Sequence, residues 1–377
     1  MIKLDGLREV NVKPGKRQIS RWKMAFKIGL IGILQITFLL GAADITNKSK
    51  QRLVISGEEG APLFKNIVSM GIAKDSLFLV DNFGNQILHY SLSPNVHFVQ
   101  SIGRKGQGPG DIYLPGSLFC SSDQLIVKDN FSFSFFDLTG HFTGKFSHPK
   151  AITSFCVHEG KTYCLEIKAN DQHLINVYDK KGALINSFGQ KFQSFPNMKL
   201  KYISPDFVES CIFDGKLLCD KEHIYYISQR YGKLLRFTYK GQKVMAKDLI
   251  RHFGKAGQQV VAANQKTFSE VKFDVPSGPD RGVPHLILFE DAVLQDKLIY
   301  LASTSAQNKP NIPANQILTV RIFQTGTLNL FSTHNYPLSP NSRLQGIAIR
   351  QTQTDKDIFL NLRTPDGSQI ETLTLSN

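Results

Sequence analysis

The stretch "SIGRKGQGPGDIYLP", residues 101–115, carries Gly103, Gly106, Gly108 and Gly110 beside Arg104 and Lys105. It reads either as a cradle for a phosphate or as a tight backbone crossing. A P-loop needs Gly-Lys followed by Ser or Thr at the start of a helix, and none follows. The dinucleotide fingerprint needs a helix and a different glycine spacing. The remaining use of the glycines is backbone freedom in a turn, stiffened by Pro109 and Pro115. Arg104 and Lys105 stay as candidate donors to an anionic ligand.

The surroundings of this stretch repeat. "CVHEGKTYC" (156–164) and "CIFDGKLLC" (211–219) each read as a strand, an acidic-Gly-Lys turn and a second strand. Looser versions are "GIAKDSLFLVD" (71–81), "FCSSDQLIVKD" (119–129), "AVLQDKLIYLA" (292–302) and "QTDKDIFLNL" (353–362). After each comes a second alternating run: 86–103, 132–146, 173–189, 233–249, 317–331 and 369–377. The fold class is therefore all-β: six four-stranded antiparallel units, strands a to d, in a β-propeller whose neighbouring blades cover each other's faces. The sixth unit stops after strand c at "TLTLSN", and "QRLVISG" (51–57) precedes the first hairpin as a lone strand. Pairing the two would close the ring and protect a free edge. Residues 101–115 then join blade one to blade two.

The domain reading is 1–43 leader, 44–50 linker and 51–377 propeller. The net charge is +14, and much of the excess lies in residues 1–27, with eight Lys or Arg against Asp5 and Glu9. "IGLIGILQITFLLGAA" (28–43) is uncharged and mostly apolar, ending in small residues. A basic flank before such a run is the pattern of a secretory signal peptide or of an uncleaved anchor helix, and both alternatives place the propeller outside the cytoplasm. Met24 opens a stretch of ordinary signal-peptide proportions and is an alternative start. The expected location is periplasmic or cell-surface, with membrane contact only through the N-terminal segment. The remaining basic residues line no single helical face, so nucleic acid is not an expected partner.

In a propeller the a–b and c–d turns fall on one face, and the b–c loops and d–a connectors on the other. The long insertions 189–209, 251–285 and 303–316 all belong to the second set. Loops gathered on a rigid scaffold are the usual home of binding sites. Residues 257–273 are expected to form a short helix capping the channel. Candidate ligand-binding residues on that face are Asp81, Asn82, Arg104, Lys105, Asp129, Asn130, Arg230, Arg281 and His285. Asp81 and Asp129 have a structural alternative, because Asp at a strand end commonly caps the following loop. Cys156 would face Cys164, and Cys211 would face Cys219, if their turns hold three residues. Disulfides are then open to them, against an alternative as small buried thiols. No catalytic set can be assembled from the sequence.

The segment 77–118 resembles an NHL-type repeat, with Asp81, Asn85, Ile87, Gly103 and Pro115 at the motif positions. The resemblance implies a six-bladed propeller of the kind found among exported bacterial proteins. Propellers of similar appearance that act as lactonases or lyases hold a divalent metal in the channel. His148 and His285, each just ahead of a strand a, are the candidates for that role. The expected function is a binding or scaffold protein, without cofactor, that engages an extracytoplasmic protein, peptide or carbohydrate on the loop-rich face. The alternative is a metal-dependent hydrolase or lyase with its site in the channel mouth.

Overall fold

The computed structural model describes residues 62–376 except 151, 167–171, 193–208, 210–211, 271–286, 305–315, 339–341, 354 and 366. The expected leader, the linker and the lone strand 51–57 lie outside the described residues, and with them the proposed closure by that strand. Blade one is β1 (Ile67–Ala73), β2 (Ser76–Asp81), β3 (Gln86–Ser91) and β4 (His97–Ile102). Blade two is β5 (Ser117–Cys120), β6 (Gln124–Lys128), β7 (Ser132–Asp137) and β8 (Phe142–Ser147). Blade three is β9 (Ser154–His158), β10 (Lys161–Leu165), β11 (His173–Tyr178) and β12 (Leu184–Gln190). Blade four is β13 (Gly215–Cys219), β14 (His223–Ser228), β15 (Lys233–Thr238) and β16 (Lys243–Asp248). Blade five is β17 (Asp291–Gln295), β18 (Leu298–Thr304), β19 (Ile317–Gln324) and β20 (Leu330–Pro337). Blade six has three described strands, β21 (Arg343–Gln351), β22 (Asp355–Thr364) and β23 (Gly367–Ser376). Every sheet is an antiparallel meander in chain order.

The burial patterns follow from this stacking. A second strand is sandwiched between neighbouring blades, so it reads as a continuous apolar run: Leu77–Val80, Leu125–Val127 and Ile224–Ile227 are all buried. The outer strand β4 alternates instead, with only Ile102 buried. Separate apolar clusters fill the seams between blades. Phe133, Phe155 and Tyr178 join blades two and three; Ile67, Leu77, Ala348 and Phe359 join blade one to blade six. Each side chain so buried contributes about 1.5–3 kcal/mol.

Strand a has no further strand at its inner edge, so its free N–H groups need other acceptors. Side chains of the preceding blade supply them. Ser69 Oγ accepts from Leu118 N at 3.2 Å, Ser154 Oγ from Leu217 N at 2.9 Å, and Asp291 Oδ2 from Ile347 N at 2.8 Å. The ends of the described ring meet similarly. Ile67 N donates to Ser368 Oγ at 3.2 Å, and Asn361 Nδ2 donates to Ile67 O at 2.9 Å.

One hairpin reading is corrected. "CIFDGKLLC" is not the first hairpin of blade four: Lys216–Cys219 belongs to strand a, which pairs with His223–Ser228. The turn is Asp220–Glu222, where Asp220 Oδ1 accepts from Glu222 N and His223 N, both at 2.8 Å. The likeness to residues 156–164 is a matter of composition and misplaces the strands. The expected helix exists as α1 (Gly254–Glu270), preceded by a 3-10 turn, Ile250–Phe253. The turn and helix contact blades four and five: Asn264 Nδ2 of α1 donates to Arg230 O at 3.2 Å, and Arg321 Nε to His252 O of the 3-10 turn at 2.8 Å. Among the described residues α1 contributes nothing to the channel lining.

Candidate functional site

The glycine connector already holds an anion, and that anion is its own Asp111. Arg104 Nε donates to Asp111 Oδ1 at 2.8 Å, and Gly108 N to Asp111 Oδ2 at 3.1 Å. A methyl on Gly106 would stand 2.2 Å from Asp111 Oδ2, so the absent side chain makes room for the carboxylate. The Arg104 hydrogen bond holds Asp111 below the usual carboxylate range. Gly103 and Gly110 adopt φ of 77° and 76°, the left-handed region that glycine tolerates. Lys145 Nζ ties the loop to blade two through Asp111 O at 3.1 Å. Of the two expected anion donors, Arg104 is thus engaged internally, and Lys105 lies 5.9 Å over the Tyr113 ring.

Asp81 and Asp129 close strand b of blades one and two, and their carboxylates serve the backbone. Asp81 accepts from Lys65 N, Asn66 N and Gly84 N at 2.9–3.2 Å. Asp129 accepts from Tyr113 N, Phe131 N and Ser132 N at 2.7–3.1 Å, and from Ser132 Oγ at 3.0 Å. Each clamps its b–c turn to the incoming connector. Asn82 Nδ2 donates to Pro115 O at 2.7 Å, and Asn130 N to Tyr113 O at 3.2 Å, so both turns grip one connector. The clamps present two aromatic rings outward: Phe83 is 60% exposed and Phe131 42%. Tyr113 lies beside the second of them, its ring 5.6 Å from that of Phe131. Sequence reading chose the Asp and Asn of these turns and passed over the rings. The signal was present as the tripeptide Asp-Asn-Phe, which occurs at 81–83 and again at 129–131.

Blade three departs from this scheme. Glu166 follows β10 where Asp129 follows β6, and its partners are side chains. Tyr178 Oη donates a short hydrogen bond to Glu166 Oε2, joined by Asn176 Nδ2 at 3.2 Å. Lys150 Nζ lies 3.2 Å from Oε1. His148 Nε2 stands 3.7 Å from Oε2, beyond a normal hydrogen bond yet within electrostatic reach. Burial alone would push the Glu166 carboxyl up. The nearby His148 ring, the donors Tyr178 and Asn176 and the charge of Lys150 outweigh it and hold the group well below the usual range. His148 is enclosed edge-on by Phe133 and Tyr178, so the structure places it in the seam of blades two and three, away from the channel.

Arg230 is buried on blade four, where its carbonyl receives Asn264 of α1. It does not stand out as an exposed recognition cation. Arg281 and His285 lie outside the described residues. Among the described residues no three His, Cys, Asp or Glu side chains converge as metal ligands.

The channel is lined by the six inner strands and encloses about 220 Å³. Near its loop-face end Lys216 Nζ meets Asp291 Oδ1 at 2.7 Å. Burial opposes the charge on Lys216, and Asp291 and Asp214 more than restore it, so its pKa is raised.

The hairpin disulfides are corrected. Cys156 pairs in register with Tyr163, and Cys164 with Phe155, because the turn holds two residues, Glu159 and Gly160. Cross-strand partners share a face, so the two thiols point to opposite faces of blade three. Cys156 enters the core shared with blade four, and Cys164 the core shared with blade two. Cys120, Cys156, Cys164 and Cys219 are free; Cys211 lies outside the described residues.

No known family profile matches the chain, and no curated protein is similar to it in sequence. Among solved structures it is similar to a protein of Bacteroides fragilis NCTC 9343 provisionally named as exported. Identity is 13% over 87% of this chain and 95% of that one, with a TM-score of 0.52. It is also similar to streptogramin B lyase, at 9% identity over 86% and 97% of the two chains and a TM-score of 0.44. The WD40 domain of Neurospora crassa Pan2 follows, at 10% identity over 81% and 78% and a TM-score of 0.43. At such identities the first likeness speaks to fold alone, and the other two add no argument. The chain is an all-β six-bladed propeller.

Proposed function

We propose that the chain is an exported, NHL-like binding protein that engages an extracytoplasmic polypeptide or carbohydrate on its b–c and d–a face. One observation carries this reading: Phe83 and Phe131 are held outward on carboxylate-clamped turns at equivalent places of adjacent blades, with the Tyr113 ring beside Phe131. Packing gains nothing from an outward Phe, whereas exposed rings on a rigid base suit the apolar faces of sugars and peptide side chains. Lys105, above Tyr113, supplies a cation at the rim. The basic flank and apolar run of residues 1–43 support export.

Glycan and peptide arrays probed with the wild-type chain and with a Phe83→Ala/Phe131→Ala variant test the reading. Hits that the folded double variant loses at least tenfold support it. Hits that survive the double substitution, yet vanish with Lys216→Met, would move the site into the channel and overturn it.

A further inference from the structure

We propose that Cys156 and Cys219 are an oxidation site, forming a disulfide that cross-links blades three and four when a peroxide reaches the channel. The pair is 63 residues apart in sequence and is brought together by inner strands β9 and β13, whose contacts Ser154–Leu217 and Val157–Cys219 advance in the same direction. Ser154 Oγ accepts from Leu217 N at 2.9 Å, which fixes their register. Two residues further along each strand stand Cys156 and Cys219. There Cys219 Sγ donates to Val157 O at 3.5 Å, one residue beyond Cys156, and both cysteines enter the same apolar core. The register therefore aims both sulfurs at one seam, which the sequence-adjacent pairing of Cys156 with Cys164 cannot do.

The surroundings favour this pair over others. Cys164 faces the opposite seam, and Cys120 packs against Gly71, where an added methyl would meet its sulfur at 2.5 Å. The Tyr239 hydroxyl donates to Asp220 O, next to Cys219, and the His158 ring stacks on Tyr239 at 3.7 Å. Cys219 lines the channel cavity, whereas Cys156 is almost wholly buried. Burial keeps Cys156 a thiol, so Cys219 meets the oxidant first. Its sulfur attacks one peroxide oxygen, the O–O bond breaks, and a water leaves with a Cys219 sulfenic acid behind. The Cys156 sulfur then attacks the Cys219 sulfur, the S–O bond breaks, and the departing hydroxide takes the Cys156 proton as a second water. Two thiols lose two electrons, and one hydrogen peroxide becomes two waters.

This site lies toward the a–b turns, opposite the loop-rich face, and does not depend on what that face binds. The test treats the full chain with hydrogen peroxide, alkylates it under denaturing conditions and maps the peptides by mass spectrometry. The expected product is a Cys156–Cys219 cross-linked peptide, with a rise in Tm of about 5 °C that a reductant reverses. Cys219→Ser removes both signals. Sulfinic or sulfonic acid on Cys219 without a cross-link overturns the proposal, as does a bridge from Cys219 to Cys211 or Cys164. The wild-type peptide map decides the matter even if the variant fails to fold.

Discussion

Replacing Glu166 with Ala removes the acceptor at the centre of the seam between blades two and three. Tyr178 Oη and Asn176 Nδ2 lose their carboxylate inside the protein. Each such buried donor left without its acceptor costs about 1–3 kcal/mol. Lys150 is 45% exposed and regains water, so its loss adds little. The expected destabilisation is about 3–4 kcal/mol at pH 7. With an unfolding entropy near 0.7 kcal/mol/K for a propeller of this length, Tm falls by about 5 °C. Thermal melts followed by circular dichroism measure it. The pH dependence separates this electrostatic cause from lost packing. Glu166 has a folded pKa below its unfolded one, so its contribution is complete above the unfolded pKa of about 4.3. Between the two values the contribution shrinks by about 1.4 kcal/mol per pH unit as pH falls. The gap between wild type and Glu166→Ala therefore narrows from pH 5 to pH 3. A Tm within 1 °C of wild type at pH 7, or a gap that stays constant to pH 3, refutes the reasoning.

Asp129→Ala strips the acceptor from three backbone N–H groups and one hydroxyl. A loss of about 3–4 kcal/mol in urea unfolding is expected, and proteolysis should open first in residues 109–116. Gly103→Ala combines φ of 77° with a methyl 2.9 Å from Ile112 Cδ1. It should cost about 1–3 kcal/mol, while Gly144→Ala, with nothing within 4 Å, should be near neutral in the same titration. Arg104→Ala breaks an ion pair whose arginine is 85% exposed; its Tm should stay within about 1 °C of wild type. Inorganic phosphate should protect neither protein from heat, and a phosphate-dependent rise in Tm confined to wild type would restore the connector as an anion site.

The architecture was legible because the strand rhythm is carried by burial. Runs such as Leu77–Val80 and Leu298–Ala302 must be apolar to sit between two sheets, and periodicity detects that demand. Residues 211–219 show where the method slips. Two segments with matching Cys, Gly and Lys took different structures, because the turn of blade four is set by Asp220 and the N–H donors two and three residues later. Side-chain roles were less legible. Asp81 and Asp129 take the capping role that their place at strand ends suggests, whereas nothing local marks Glu166. Its partners His148 and Tyr178 come from another blade and another strand, and no local pattern joins them. The thiol pair Cys156–Cys219 was invisible for the same reason: only the parallel run of two inner strands makes these residues neighbours.

The inner-strand ties carry a mechanical consequence. Side chains bind the inner strands of blades one to two, three to four and five to six, and Ser368 and Asn361 bind six to one. The inner strands of blades two and three, and of four and five, approach each other less closely. The circle is thus two arcs, a long one of blades five, six, one and two, and a short one of blades three and four. At the two junctions between these arcs the apolar seams continue, Phe133 with Phe155 at one and Leu235 with Phe323 at the other, and each adds a charged contact: the Glu166 group and the Lys216–Asp291 pair. The inner rim is therefore tied unevenly around the bore, with its side-chain-to-backbone ties inside the two arcs and its charged pairs at the boundaries between them.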